Sequence, residues 1–210
     1  MQEARRKLFL LYAPIFVEMG FDKNEPLWQF RESFEGGFRT FILSVSVYET
    51  ESVVELHLGV RHDAIESFVD RFIGGLTGFK PDMMTIVTSM ARVQGEVFKR
   101  YIIQNDADIR QSYKEMEIFA RHVGYQKLHD WSDIRELNKT FNLDPYNLSL
   151  VYNAYNKAIR GITLARFSNN SNYEELKKKY RYFIEYKKYP PGHLTAYDQL
   201  TKFLDVYHPN

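Results

Sequence analysis

Residues 38–61 read FRTFILSVSVYETESVVELHLGVR. From Phe41, one register carries Leu43, Val45 and Val47, and the other carries Ser44 and Ser46. After a polar Glu49-Thr50-Glu51-Ser52 turn, Val54, Leu56, Leu58 and Val60 alternate with Glu55, His57, Gly59 and Arg61. Side chains on a strand point to opposite faces with period two, so this hairpin has one apolar and one polar face. The pattern predicts a half-buried antiparallel sheet with Phe41, Leu43, Val45, Val47, Leu56 and Leu58 in its core.

Outward from the hairpin, Leu27–Phe34 sets Trp28, Phe30 and Phe34 against Gln29, Arg31 and Ser33, a first strand that turns through Glu35-Gly36-Gly37. Ahead of it, Leu8, Leu11, Tyr12, Ile15, Phe16 and Met19 fall at helical spacing, which predicts a helix over 2–19 with Gly20 as its cap and Pro14 as a bend. Behind it, His62-Asp63 opens a helix with Ile65, Phe68, Val69, Phe72 and Ile73 on one stripe, ended by Gly74-Gly75. Met83–Val93 and Val97–Ile103 are expected to form a second hairpin around Gln94-Gly95; a helix over 94–104 is the alternative.

Beyond Asp106 the pattern is helical. Asp106 is expected to cap a helix with Ile109, Tyr113, Met116, Phe119, Ala120 and Val123 inward, and Gly124 to end it. Further helices are expected over 132–141, from Asp144-Pro145 onward, over 173–188 and over 194–206, with breaks at 168–172 and at Pro190-Pro191-Gly192. The fold class is therefore α+β: an antiparallel sheet of about five strands with segregated helices in 1–105, then a helical region in 106–210, expected to pack as one compact unit.

Composition narrows the chemistry. The chain has 210 residues, 44% hydrophobic and 26% charged, as soluble globular domains do. Its net charge of +1 gives little long-range pull toward nucleic acid or anionic lipid. The charge is uneven, since 1–75 holds 8 basic and 12 acidic residues and 141–210 holds 10 and 6. With no cysteine there is no disulfide, thiolate nucleophile or cysteine-ligated metal. The basic start and apolar run Leu8–Val17 resemble a signal peptide, but Pro14, Glu18 and the lack of a small-x-small site favour an amphipathic helix. No run reaches the ~18 apolar residues of a membrane span, and the expected compartment is cytoplasmic.

Catalytic signatures are missing. The Gly74–Pro81 segment has glycines and Lys80, but Pro81 stands where a phosphate loop needs Ser or Thr. His122 and His129 lie near Asp130 and Asp133, yet no tight ligand pair supports a metal, and Gly124 is expected to end the helix between them. No G-x-S-x-G elbow occurs. The run Lys177–Tyr189 interleaves bases and aromatics, as single-stranded nucleic-acid binders do, but helical spacing buries Tyr173, Leu176, Tyr180, Phe183 and Ile184 and sets Glu174 and Glu175 against Lys178 and Lys179.

What remains is the polar sheet face, expected to gather Arg31, Ser44, Ser46, Glu55, His57 and Arg61 as a partner-binding surface. The expected function is a non-enzymatic protein-interaction module with a protein partner, no cofactor and no metal. A layout of small sheet plus helical tail is similar to that of many bacterial binding proteins, toxin-neutralising immunity proteins and adaptors among them; the likeness is of layout and carries no residue over. The alternatives are a small-molecule binder or enzyme with an aromatic-lined pocket, and a weak nucleic-acid binder through 177–188.

Overall fold

The structure is a computed structural model, and it describes residues 2–73 and 81–207. In chain order the elements are α1 (Gln2–Val17), β1 (Asp22–Asn24), β2 (Gln29–Phe34), β3 (Gly37–Val47), β4 (Ser52–His62), α2 (Asp63–Val69), β5 (Ile86–Ser89), α3 (Met90–Val93) and β6 (Tyr101–Ile103). Helices follow: α4 (Asp106–Phe119), a π turn (Ala120–Gly124), α5 (Tyr125–Ser132), α6 (Ile134–Asn142), α7 (Ala154–Phe167), α8 (Tyr173–Tyr186) and α9 (Pro191–Val206). This is an α+β fold with a six-stranded antiparallel sheet in the order β1-β2-β3-β4-β5, and β6 also pairing with β4. No described helix is long and apolar enough to cross a membrane. The chain divides into two compact units, Met1–Val60 with Val87–Asp130 and Arg61–Ile86 with Trp131–Asn210.

In the first unit, the register Phe30↔Phe41 and Arg31↔Thr40 puts alternate side chains on opposite faces. Phe41, Leu43, Val45, Val54, Leu56 and Leu58 are buried, as the alternation predicts, while Val47 is half-buried. The inner face meets α1 through a run of rings: Phe9 and Phe16 stack on Phe30 at 4.6 and 4.5 Å, and Phe16 lies 4.9 Å from Phe41. Each ring removed from water contributes about 1.5–3 kcal/mol. The tight turn at Glu35-Gly36 closes the pair Phe34↔Gly37, with Gly36 at φ 84.

Several expectations give way here. The first strand starts at Gln29, because Glu25–Leu27 is a 3-10 turn, and β1 was not foreseen. The second hairpin is absent. Ser89 caps the single turn α3 by accepting from the Arg92 amide, and β6 crosses to β4 with Ser52↔Ile103 and Val54↔Tyr101. Asn105, not Asp106, caps α4, in a reciprocal capping box with Asp108. Gly124 does not end that helix. The π turn carries the chain into α5, and Gly124 is buried against the Phe41 ring, where a Cβ would lie 2.8 Å from the ring's Cε1. Val123, expected inward, is exposed.

In the second unit α7 is buried along nearly its whole length, from Ala154 to Ala165, against α2, α6, α8 and α9. A helix buried all round must find partners for any polar group it carries. Arg160 donates to both carboxylate oxygens of Glu66, Nε at 3.0 Å and Nη2 at 2.7 Å. The Lys157 ammonium donates to the carbonyls of Asp144 (2.9 Å) and Asn147 (2.5 Å), and burial pulls its pKa down to about 8. These bonds hold a loop where a helix was expected: α7 begins at Ala154, capped by Asn153, nine residues after Pro145. The stripe Tyr173, Leu176, Tyr180, Phe183 and Ile184 of α8 is buried as predicted.

Candidate functional site

Ser44, Ser46, Glu55 and His57 lie on the register opposite the buried Leu43, Val45, Leu56 and Leu58. Arg31 is on the same face as Thr40 by register; its Nε donates to Gln29 at 2.8 Å and its guanidinium covers the Phe38 ring at 4.2 Å. Glu55 accepts from Arg100 Nε at 3.1 Å. Beside that pair, Val53 faces Ile102, which is 54% exposed. The face is graded: Ser46 and Ile102 are exposed, whereas Thr40 and Gly59 are buried. Arg61 belongs to the second unit. It is buried, donating to Asp63 at 2.6 Å and to the Met83 carbonyl at 2.8 Å, so it does not serve as an open surface group.

Sequence reading missed two exposed apolar groups just ahead of β6. Val97 and Phe98, 81% and 71% exposed, lead into β6. Their signal was present as an apolar pair in a stretch assigned to a strand. A second missed cluster lies on the inner register. Arg39 donates to Glu32 through Nε (2.8 Å) and Nη2 (3.2 Å), and through Nη1 to His129 Nδ1 at 3.0 Å. An arginine in the register of Phe41 and Leu43 is itself the signal, since a buried guanidinium requires partners. His129 Nδ1 accepts from Arg39, which puts the proton of the neutral ring on Nε2. Among the described residues no three His, Asp or Glu side chains converge as a metal group.

Comparison with protein-family models, characterised proteins and solved structures finds no match.

The Gly74–Pro81 reading falls on residues 74–80, which lie outside the described residues. On α8, Lys177 pairs with Glu174 and Asp205, Lys179 with Glu175, and Arg181 with Glu185 and Asp198. Glu174 thus reaches Lys177 rather than Lys178. Tyr182 and Tyr186 form an exposed stacked pair, 6.0 Å apart, outside the buried stripe.

Burial lowers the pKa of His57 from the ordinary histidine value, with the Glu55 charge acting in the opposite sense. Burial is also the leading cause of the lowered pKa of His62, whose Nε2 donates to the Trp131 carbonyl at 2.9 Å, and of His129, where the Arg39 charge adds to it. The unfolded chain then binds more protons than the folded one below about pH 6.5. Stability should be complete above that pH and fall as pH drops through it. Denaturant titrations between pH 7 and 5.5 should show this slope, and His62→Gln should flatten it. A stability independent of pH over that range would contradict the assignment.

Proposed function

We propose that this chain is a protein-binding module that docks its partner on the open end of the outer sheet face, around Ser44, Ser46, Glu55 and His57, with Arg31 on the same face. The observation that supports this reading is the pairing of exposed apolar groups with fixed charge. Phe98 and Ile102 offer anchors, and Arg100, just ahead of β6, pairs with Glu55 of β4. Interfaces combine a few buried apolar or aromatic anchors with a polar rim in this way. A protein is favoured over nucleic acid because three of the α8 cations, Lys177, Lys179 and Arg181, are held in ion pairs.

The test is site-specific photo-crosslinking in the source cells, with the crosslinker at position 46 and, as a control, at the exposed Ser67 of α2. A discrete adduct is expected at 46 only, and Phe98→Asp should abolish it without moving the melting temperature. Equal adducts at both positions, or an adduct untouched by Phe98→Asp, would exclude the face as the docking site.

A further inference from the structure

On the inner side of the sheet, a cleft of about 350 Å³ is lined by Gln2, Arg5, Trp28, Val45 and Val47. Its volume lies within the range of small-molecule sites. Three independent features meet there. The Arg5 guanidinium stacks over the Trp28 indole at 4.4 Å. The Arg5 Nε is buried and has no hydrogen-bond partner. Trp28 itself is held at φ 56, ψ 42, a left-handed backbone that glycine or asparagine adopts readily and a bulky residue does not.

The strained position has a visible return. The Trp28 carbonyl still accepts from the Leu43 amide at 3.0 Å, so the chain passes from the 3-10 turn into β2 with the ladder intact. Its ring is wedged edge-on against Phe9 at 5.3 Å, where it supports Arg5 from below. The neighbouring cations are already committed, Arg6 to Glu25 and Lys7 to Glu3. Among the described residues no carboxylate pairs with Arg5. A guanidinium held over an indole has its planar fork of donors restrained, which suits a carboxylate. Val45 and Val47 add an apolar floor in the same register.

We infer that this cleft binds a small amphipathic carboxylate, its carboxylate taken by Arg5 and Gln2 and its apolar body laid on Val45 and Val47. The inference is independent of the protein-binding reading, which concerns the opposite face of the sheet.

Calorimetric titration of the full chain with octanoate tests it, with octan-1-ol and inorganic phosphate as the uncharged and the purely anionic arms. Octanoate should bind saturably at millimolar concentration or below, and each other arm at least tenfold more weakly. Arg5→Gln should weaken octanoate at least tenfold. Val47→Asp, which leaves Arg5 in place and sets a like charge in the floor, should do the same. Thermal melts show that each variant is folded. No saturable binding, equal binding of octan-1-ol, equal binding of phosphate, or an unchanged affinity in folded Arg5→Gln would each overturn the inference.

Discussion

Replacing Arg160 with alanine should lower the stability of the second unit by about 3–5 kcal/mol, the cost of stranding a buried charge. Glu66 is fully buried and Arg160 is 5% exposed, so water cannot take over the guanidinium's two bonds to the carboxylate. Paired, the two charges contribute much less than that figure suggests, because each lost its hydration on burial. The double variant Glu66→Leu/Arg160→Met should therefore recover most of the loss. Denaturant unfolding of the single and double variants measures both. A single variant costing under about 1 kcal/mol would mean that solvent reaches the carboxylate.

The second large effect is expected at Gly161. A Cβ there would fall on the Tyr180 hydroxyl and lie 2.7 Å from its ring Cζ. That hydroxyl lies 2.7 Å from the Asn142 side-chain oxygen and 3.0 Å from the Phe141 carbonyl, its one proton shared between them. Asn142 in turn donates to Asn138 (2.6 Å) and to the Gly161 carbonyl (2.9 Å). Gly161→Ala must displace a fully buried ring and break this network, at about 3 kcal/mol for overpacking and a lost hydrogen bond. Alanine otherwise favours a helix over glycine by about 1 kcal/mol, so a stabilised variant would show that α8 can back away freely. In a Tyr180→Phe background the Gly161→Ala cost should shrink, and a double-mutant cycle measures that coupling.

The sheet was legible because Leu43–Val47 and Val54–Val60 alternate on either side of a polar turn, and neither strand depends on distant partners for its pattern. The rest failed for identifiable reasons. β1 is Asp22-Lys23-Asn24, which carries no apolar alternation. β6 has three residues, Tyr101-Ile102-Ile103, and its partner lies some fifty positions earlier. Asp144 mimicked a helix cap, but its side chain accepts from the Tyr146 amide (3.1 Å) and that of Asn147 from the Ser149 amide (2.7 Å), in turns of their own. The buried Lys157 then holds that loop by its carbonyls, a tie that no local pattern encodes.

The candidate surface was legible only in part. Alternation named Ser44, Ser46, Glu55 and His57 correctly as residues of the outer face. It could not foresee that Arg100 would pair with Glu55, because that contact follows from the β4–β6 register. Arg61 was misjudged because alternation reports which way a side chain points and not what lies over it. Glu66 was overlooked for a related reason: a glutamate beside an apolar helical stripe looks solvated until a partner such as Arg160 is known.

The π turn at Ala120–Gly124 has one consequence for how this helix tolerates edits. A π turn is a helix with one residue too many, and here the surplus moves the buried position from Val123 to Gly124. Deleting one residue from a helix ordinarily swings everything beyond it by about 100°. Between Ala120 and Val123 the same deletion would restore the regular pitch, and the backbone would keep its hydrogen bonds. The turns on either side would stay in phase, so Leu128 would remain in the core and His129 beside Arg39. Along the run from α4 to α5, a one-residue deletion is therefore tolerated best at this turn.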